Sequence, residues 1–259
     1  MSNKKKHKGR IIALTSVLSV IVLIAGAFFI YTGIYYHADE EVEAYLKSDD
    51  DVLVRKEDNM YVFQSKSIPE NAPTSAFVFY PGAKVEYTAY APVMYRIAKE
   101  SPATVYLVHM PFNLAMMNEH AVDKIMDSHE DVTHWYLGGH SLGGAVASME
   151  VASHSHSFTG LILEASYSNK DLTGHKDMAV LSLLGSNDGV INRDNYEKYN
   201  SNLPKDKYTE YIIDGGIHSY FGDYGHQSKD GTAGITKEEQ WSQISHQVSA
   251  FIIANSLLS

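Results

Sequence analysis

A serine flanked by glycines is the strongest candidate nucleophile in the sequence. The run Gly138–Gly144 contains the pattern Gly-x-Ser-x-Gly centred on Ser141, between a predicted strand, Trp135–Gly138, and a predicted helix, Gly143–Ser153. Glycine on both sides lets strand and helix approach at a tight turn, so that the serine hydroxyl projects above a sheet. A glycine-rich turn with a passive serine is the alternative. A phosphate-binding loop is disfavoured, because neither Gly-Lys-Ser/Thr nor the dinucleotide pattern G-x-G-x-x-G is present.

A serine nucleophile needs a base, and the base needs an acid that orients it. Candidates for both follow Ser141, each just beyond the end of a predicted strand. Asp188 follows the apolar strand Val180–Gly185, and His218 follows the next strand. Functional residues of open α/β sheets gather beyond the carboxyl ends of the strands, so we predict a Ser-His-Asp triad. Glu164, at the end of another predicted strand, is the alternative acid.

Backbone N–H groups near the serine predict an oxyanion-binding site. Leu142 follows the nucleophile at the start of a helix, where the positive end of the dipole favours a developing oxyanion. The second donor is expected from the loop after the third strand, Tyr80–Val85, where Gly82 lets backbone approach a substrate closely. We predict that this donor is the N–H of Ala83, with that of Lys84 as the alternative. An ordinary Pro-Gly turn is the competing interpretation of the loop.

The elements that must position these residues alternate between short apolar runs and helical patterns, which is typical of an α/β protein. The predicted strands are Val52–Arg55, Met60–Lys66, Ala76–Tyr80, Val105–His109, Trp135–Gly138, Leu161–Ala165, Val180–Gly185 and Tyr208–Asp214. The predicted helices are Ala89–Lys99, Glu119–Ser128, Gly143–Ser153, Asp194–Asn202 and a last helix that begins with a capping box at Thr236–Glu239. A hairpin followed by six αβ units predicts an eight-stranded, mostly parallel sheet flanked by helices.

The first 36 residues combine a basic cluster with a long apolar run. Ile11–Ile30 contains no charged residue, and a helix of that length spans about 30 Å, the hydrocarbon thickness of a bilayer. Basic residues precede the run and acidic residues follow it. The positive-inside rule therefore predicts a cytoplasmic N-terminus and an extracellular large domain, anchored in the cell membrane. A cleaved signal peptide, with secretion of the domain, is the alternative. The predicted segments are a basic tail (1–10), a transmembrane signal anchor (11–36), a stalk (37–51) and an α/β domain (52–259).

Composition excludes several classes of protein and site. The chain of 259 residues has no cysteine, so it has no disulfide, no thiol nucleophile and no cysteine-bound zinc. Five of its 21 basic residues and none of its 31 acidic residues lie in the first 36 positions. The acidic remainder is a poor candidate for nucleic-acid binding.

His154 and His156 have no accompanying carboxylate pattern, so we predict no metal or cofactor. His109 is a candidate pocket residue, and His140 is expected to pack within the turn at Ser141.

Taken together, these motifs resemble a serine hydrolase of the α/β-hydrolase superfamily. The similarity extends over about residues 74–255 and is closest to the small dienelactone-hydrolase-like branch of bacterial proteins. The segments that carry it are Tyr80–Tyr90, Met110–Ala115, Gly139–Gly144, Gly185–Val190 and Gly215–Gly225. The resemblance implies Ser141 as nucleophile, His218 as base, Asp188 as acid, and Ala83 and Leu142 as oxyanion donors. Dienelactone hydrolases use a cysteine nucleophile, so their lactone substrate is not implied for a chain with serine.

The triad and the resemblance predict a carboxylesterase that cleaves a small acyl substrate through an acyl-enzyme. Fourteen residues lie between Ala165 and Val180, where hydrolases insert large lids, so a small lid or none is expected. The loop Phe221–Thr232 is expected to form one wall of the site. An amidase, peptidase or lactonase with the same triad is the alternative within enzymes, because the fold does not choose among them. A catalytically silent binding protein is the alternative of another class.

Overall fold

The computed structural model describes residues 2–68, 72, 74–153 and 158–257, so His154 and His156 lie outside the described residues. The chain divides into two units, of which the first ends at Tyr35 and the second begins at Tyr36. The first unit contains helix α1 (Ser2–Gly33). Within it, Ala13–Gly33 has a mean hydropathy of 2.5, which gives the length and composition needed to cross a membrane. A signal sequence shares both properties.

The second unit is built on one sheet of eight strands, and the predicted α/β architecture is confirmed. The strands are β1 (Val52–Glu57), β2 (Met60–Ser65), β3 (Ser75–Tyr80), β4 (Ala103–Val108), β5 (His134–His140), β6 (Gly160–Glu164), β7 (Ala179–Gly185) and β8 (Tyr208–Ile213). Their order is β1-β2-β4-β3-β5-β6-β7-β8. β2 runs antiparallel to both β1 and β4, and all other neighbours are parallel.

Helices cover both faces of this sheet. They are α2 (Ala91–Glu100), α3 (Ala121–Asp127), α4 (Leu142–Ser153), α5 (Arg193–Tyr199) and α6 (Lys237–Ser256). Residues of α2 and α6 pack in one apolar cluster, and residues of α3 and α4 pack in the other. Every residue of β3 and of β7 is buried, because both of their faces are covered. This burial is the physical reason for the continuous apolar runs in the sequence.

Local signals also place the helix ends. The predicted capping box at the start of α6 is present: the side chain of Thr236 accepts a hydrogen bond from Glu239 N–H at 3.2 Å. The Glu239 carboxylate in turn accepts one from Thr236 N–H at 2.8 Å. These two bonds satisfy donors that the first turn of a helix leaves unpaired.

The segment between α1 and β1 belongs to the second unit from Tyr36 onward. It contains a short 3₁₀ helix, Glu40–Ala44, in which Val42 is buried. The parallel strands β3, β5, β7 and β8 direct their carboxyl ends to one edge of the sheet. The segments that follow these four strands carry the predicted triad and oxyanion donors, which are Ala83, Ser141, Leu142, Asp188 and His218.

Candidate active site

Ser141 occupies a sharp turn between the end of β5 and the start of α4. Its φ angle is 52°, in the left-handed region that residues other than glycine rarely adopt. A Cβ atom at Gly139 or at Gly143 would collide with the carbonyl oxygen of Tyr80. Only glycine therefore allows β5 and α4 to pack this closely against the end of β3. The predicted tight turn is present, and strained residues of this kind cluster at functional sites.

Hydrogen bonds from the neighbouring strand region hold this turn. Ser141 N–H donates to the carbonyl of Glu164 at 2.8 Å. The Ser141 carbonyl accepts hydrogen bonds from the Ser166 hydroxyl at 2.7 Å and from Ala145 N–H at 3.1 Å. Both main-chain groups of Ser141 are thereby fixed, so the strained backbone has a defined orientation that sets where the hydroxyl projects.

Asp188 and His218 form a hydrogen bond inside the protein. Asp188 lies beyond the end of β7 and His218 beyond the end of β8, and His218 Nδ1 is 2.8 Å from Asp188 Oδ2. The second oxygen, Asp188 Oδ1, accepts hydrogen bonds from Val190 N–H at 2.8 Å and Ile191 N–H at 2.9 Å. Only 6% of Asp188 and 1% of His218 is exposed. A carboxylate anchored in this way fixes the ring and favours a proton on Nδ1, which leaves Nε2 as the basic nitrogen.

The basic nitrogen lies beside the candidate nucleophile's cavity. His218 Nε2 is buried and has no hydrogen-bond partner in the described part of the chain. His218 and Ser141 both line a cavity of about 390 Å³. The structure thus brings His218 and Asp188 into direct contact and places Ser141 on the same cavity as His218. Their catalytic roles stay predictions that activity measurements must test.

Asp230 connects the loop of the acid to the loop of the base, and no sequence pattern identified it. Its Oδ1 accepts hydrogen bonds from His218 N–H and Gly189 N–H, both at 3.2 Å. Its Oδ2 accepts from Ser219 N–H at 2.7 Å and from the Ser219 hydroxyl at 2.6 Å. Burial favours a raised pKa, but these hydrogen bonds outweigh it and hold the pKa of Asp230 below its ordinary value. In the sequence, Lys229-Asp230-Gly231 resembles only a surface turn.

Glu164, the alternative acid, has a different environment. Its carboxyl is fully buried at the end of β6, and neither oxygen has a hydrogen-bond partner among the residues that the structure describes. Burial raises the pKa of Glu164 to about 8, so the neutral form prevails at pH 7. A neutral carboxyl would stabilise an imidazolium poorly. The hydrogen bond to the His218 ring comes from Asp188 instead, which favours Asp188 as the orienting acid.

The loop after β3 leaves one N–H available for an oxyanion. Lys84 N–H donates to the carbonyl of Asn113 at 2.8 Å, so the alternative donor is engaged. Gly82 N–H donates to the Tyr90 hydroxyl at 3.0 Å. Ala83 N–H, between them, makes no hydrogen bond within the described residues. This pattern favours Ala83 over Lys84.

The other predicted donor is placed at the cavity. Leu142 is the first residue of α4, so its N–H has no acceptor within the helix. Leu142 lines the cavity together with Ser141, whereas Ala83 is outside the lining.

His140 packs beneath the site, as its position before Ser141 predicts. Its Nδ1 is 2.9 Å from the Tyr90 hydroxyl, and its ring stacks on Phe221 with centroids 5.2 Å apart. The centroids of the His140 and His218 rings are 4.4 Å apart. Burial, and then the neighbouring His218, lower the pKa of His140 well below its ordinary value. A neutral His140 places no competing positive charge beside His218 when that ring accepts a proton.

The cavity wall differs from the expected one. The lining contains residues of the turn at Ser141 and of the loops after β6 and β7, which are Ser141, Leu142, Ala145, Ala165, Ser166, Tyr167, Asn169, Val190, Ile191, Asn192 and His218. The predicted wall Phe221–Thr232 is outside this lining, and Asp230 within it accepts a hydrogen bond from His218 N–H. His109 is also outside the lining, and its ring lies 5.0 Å from that of Tyr87.

One group of side chains elsewhere has the composition of metal ligands. His120, Asp123 and Glu150 place their ligand atoms within 4.8 Å of one another. His120 Nδ1 already lies 2.8 Å from Glu150 Oε2, which makes an ion pair when the histidine is protonated. None of the three is among the residues that line the cavity beside Ser141. The chemistry predicted at Ser141 uses side chains and backbone N–H groups alone.

Several solved structures are similar to this fold. Est1E from Butyrivibrio proteoclasticus aligns with a TM-score of 0.55 at 12% identity, over 80% of this chain and 99% of its own. Carboxyl esterase 2 from the mycorrhizal fungus Tuber melanosporum aligns with a TM-score of 0.58 at 12% identity, over 84% of this chain and 91% of its own. A predicted CIB-like hydrolase from Thermoplasma acidophilum has a TM-score of 0.55 and 15% identity, over 77% and 99% of the two chains. At these identities the similarity concerns the fold.

Sequence comparison gives the family. No curated protein sequence matches the chain. The sequence profile described as the alpha/beta hydrolase family matches residues 76–242, which is more than half of the chain. With this match and the architecture described above, the chain belongs to the alpha/beta hydrolase family.

Proposed function

We propose that this hydrolase cleaves carboxylic esters with Ser141 as its nucleophile. The observation that carries the proposal is the hydrogen bond of 2.8 Å between His218 and Asp188, beside a cavity that His218 shares with Ser141. A base with an orienting acid, next to a serine on a strained turn, is the arrangement that acyl transfer requires. The Tuber melanosporum protein is a carboxyl esterase by name, which favours an ester over other acyl substrates.

In the proposed reaction, Ser141 Oγ attacks the ester carbonyl while His218 Nε2 takes the hydroxyl proton. Asp188 holds the Nδ1 proton and stabilises the imidazolium. The N–H groups of Ala83 and Leu142 bind the oxyanion of the tetrahedral intermediate. His218 then gives its proton to the departing alcohol, and an acyl-enzyme remains. Water attacks this acyl group with His218 again as base, which releases the acid and restores Ser141.

The lining of the cavity favours an uncharged substrate. Apart from His218, its described residues carry apolar side chains, hydroxyls or the amides of Asn169 and Asn192. A charged acyl group would lose its hydration there without gaining a counter-ion, which is costly. A volume of about 390 Å³ suits a small molecule. We therefore propose that the substrate is a small neutral ester.

Membership of the dienelactone-hydrolase-like branch, with serine in place of cysteine, is part of the same proposal.

We further propose that α1 anchors the protein in the cell membrane, with the N-terminus in the cytoplasm and the catalytic domain outside. The apolar stretch Ala13–Gly33 and the basic residues before it support this orientation. A full-length protein in the membrane fraction, degraded by protease added to intact cells, is the expected result. A shortened protein in the culture medium would instead indicate cleavage and secretion.

The test of the chemistry is labelling of the detergent-solubilised full chain with a fluorophosphonate probe. We expect labelling of the wild type and none of Ser141→Ala. Hydrolysis of p-nitrophenyl acetate and butyrate should disappear in the same variant. A folded wild type that the probe does not label would contradict the proposal. Faster turnover of amides or lactones than of esters would keep Ser141 but change the substrate class.

A further inference from the structure

The second unit begins with a segment that pairs with the loop carrying the proposed oxyanion donor. We call residues 36–42 the strap. Tyr36 N–H donates to the carbonyl of Lys84 at 2.7 Å, and the Tyr36 carbonyl accepts a hydrogen bond from Glu86 N–H at 2.8 Å. These two bonds form a parallel β-bridge between Tyr36 and Val85. The strap therefore holds the loop after β3 through main-chain hydrogen bonds.

The strap is also fixed to the loop that follows His218. The Tyr36 hydroxyl accepts a hydrogen bond from Ser228 N–H at 3.2 Å. Further along the strap, Asp39 N–H donates to the carbonyl of Asp223 at 2.9 Å. One short segment thus joins the loop of the proposed oxyanion donor to the loop of the proposed base.

Side chains reinforce both connections. The Glu86 carboxylate accepts a hydrogen bond from Ala38 N–H at 3.2 Å. Lys237, at the start of α6, places its Nζ 3.2 Å from the Glu41 carboxylate of the strap and 2.8 Å from that of Asp223. The strap is therefore held at several positions along its length, in addition to the burial of Val42.

The bridge at Tyr36 bears directly on the orientation of Ala83 N–H. Val85 N–H donates to the carbonyl of Gly82 at 3.4 Å. That carbonyl and Ala83 N–H belong to one peptide group, which is planar and trans, so they point in opposite directions. Whatever fixes Val85 therefore fixes the direction of Ala83 N–H. The bridge to Tyr36 holds the backbone on both sides of Val85, and the bond from Lys84 N–H to the Asn113 carbonyl holds the same loop from another side.

We propose that the start of the strap, residues 36–38, is a positioning element for the ester hydrolysis and that Tyr36 is its principal positioning residue. Through Val85, it sets the peptide group of Ala83 so that the N–H points at the developing oxyanion. The inference rests on the proposed function, in which Ala83 is an oxyanion donor. It predicts that the sheet folds without the bridge at Tyr36 but that transition-state binding is weakened.

A pair of proline variants of the full chain in detergent tests this proposal. Tyr36→Pro removes the N–H that donates to Lys84. Glu40→Pro is the matched control, because proline is tolerated at the first position of a helix and Glu40 begins the 3₁₀ helix. Fluorophosphonate titration counts active sites, so kcat per site is independent of any unfolded fraction. Loss of an oxyanion donor costs about 10²–10³ in kcat, so a misdirected donor should cost at least about tenfold.

We expect Tyr36→Pro to lower kcat per site by at least about tenfold with little change in KM, since the donor acts mainly in the transition state. Its affinity for a trifluoromethyl ketone, which forms a tetrahedral adduct, should fall by a similar factor. Glu40→Pro should retain the wild-type kcat per site and the wild-type affinity for the ketone. Unchanged kcat per site in Tyr36→Pro would overturn the proposal.

Should Tyr36→Pro not fold, Glu86→Pro decides, because the φ of Glu86, −60°, suits proline and the change removes the N–H that donates to the Tyr36 carbonyl. A smaller loss of kcat per site in the same direction is expected, and no loss would overturn the proposal. The control for the proposed function is separate. If the fluorophosphonate probe labels the wild type and not Ser141→Ala, the proposed function is supported, whatever kcat the strap variants have. A wild type without labelling would remove the basis of both.

Discussion

Replacing Glu164 by glutamine should remove a pH-dependent loss of stability. The carboxyl of Glu164 is fully buried without a hydrogen-bond partner among the described residues, and burial raises its pKa from 4.5 to about 8. The folded protein therefore keeps this proton up to about pH 8, whereas the unfolded chain releases it near pH 4.5. The group favours the folded state fully below pH 4.5, and this contribution is lost as the pH rises towards 8.

The size of the effect follows from the two pKa values. One pKa unit corresponds to about 1.4 kcal/mol, so the full loss is about 5 kcal/mol, of which about 3.5 kcal/mol falls between pH 5 and pH 8. Glutamine has nearly the same shape and does not titrate. Its own burial cost is independent of pH and cancels when two pH values are compared. Between pH 5 and pH 8, wild type should therefore lose about 3.5 kcal/mol of stability relative to Glu164→Gln.

Chemical denaturation of the full chain in detergent, measured at several pH values from 5 to 8, checks this expectation. Glu130→Gln is the matched control, because Glu130 is exposed. The free energy of unfolding of Glu164→Gln minus that of wild type should rise steadily with pH. The same quantity for Glu130→Gln should not change with pH. A constant difference for Glu164→Gln would refute the reasoning, since it would mean that the carboxyl titrates alike in the folded and unfolded chains.

Three further variants address the proposed chemistry. Ser141→Ala should lower kcat by at least about 10⁴-fold with an unchanged circular dichroism spectrum, because the nucleophile is lost and the fold is kept. Asp188→Asn should lower kcat by about 10⁴-fold, since an amide favours the wrong tautomer of the base, and steady-state kinetics would contradict this with a loss below about tenfold. Tyr90→Phe should cost about 1–3 kcal/mol in denaturant titration, because both His140 and Gly82 N–H lose a buried partner. Equal stability of wild type and Tyr90→Phe would show that water replaces the hydroxyl.

The parts of the site that the sequence predicted have local signals. Ser141 lies between a β-branched or aromatic run and a helical pattern. The glycines beside it are required by a turn of only a few residues, so the signal is local. Asp188 and His218 each follow a strand, β7 and β8, so the pattern of the sheet alone places them at one edge. The strand ends agree with prediction within two residues, and in β3 and β7 burial on both faces imposes the continuous apolar runs that mark them.

The remaining features depend on contacts between distant segments. The bridge of Tyr36 to Val85 joins main-chain groups, so no pattern of side chains in the sequence predicts it. Asp230 acts through hydrogen bonds to backbone N–H groups of His218 and Gly189, which only the folded loops bring together. The cavity wall, likewise, follows from how the loops after β6 and β7 pack. Tertiary packing decides each of these features, and local propensity carries little information about it.

The local environments of Glu164 and Asp188 distinguish two carboxyl groups that the sequence alone offers as partners of His218. Glu164 and Asp188 follow neighbouring strands, β6 and β7, and either carboxyl was a candidate partner for the base. Asp188 receives hydrogen bonds from two backbone N–H groups and from the ring of His218. Glu164 receives none from the described residues, and burial alone keeps it neutral at pH 7. A base that becomes an imidazolium needs the ionised partner. Substitution of Asp188 should therefore act on kcat, and substitution of Glu164 on the pH dependence of stability.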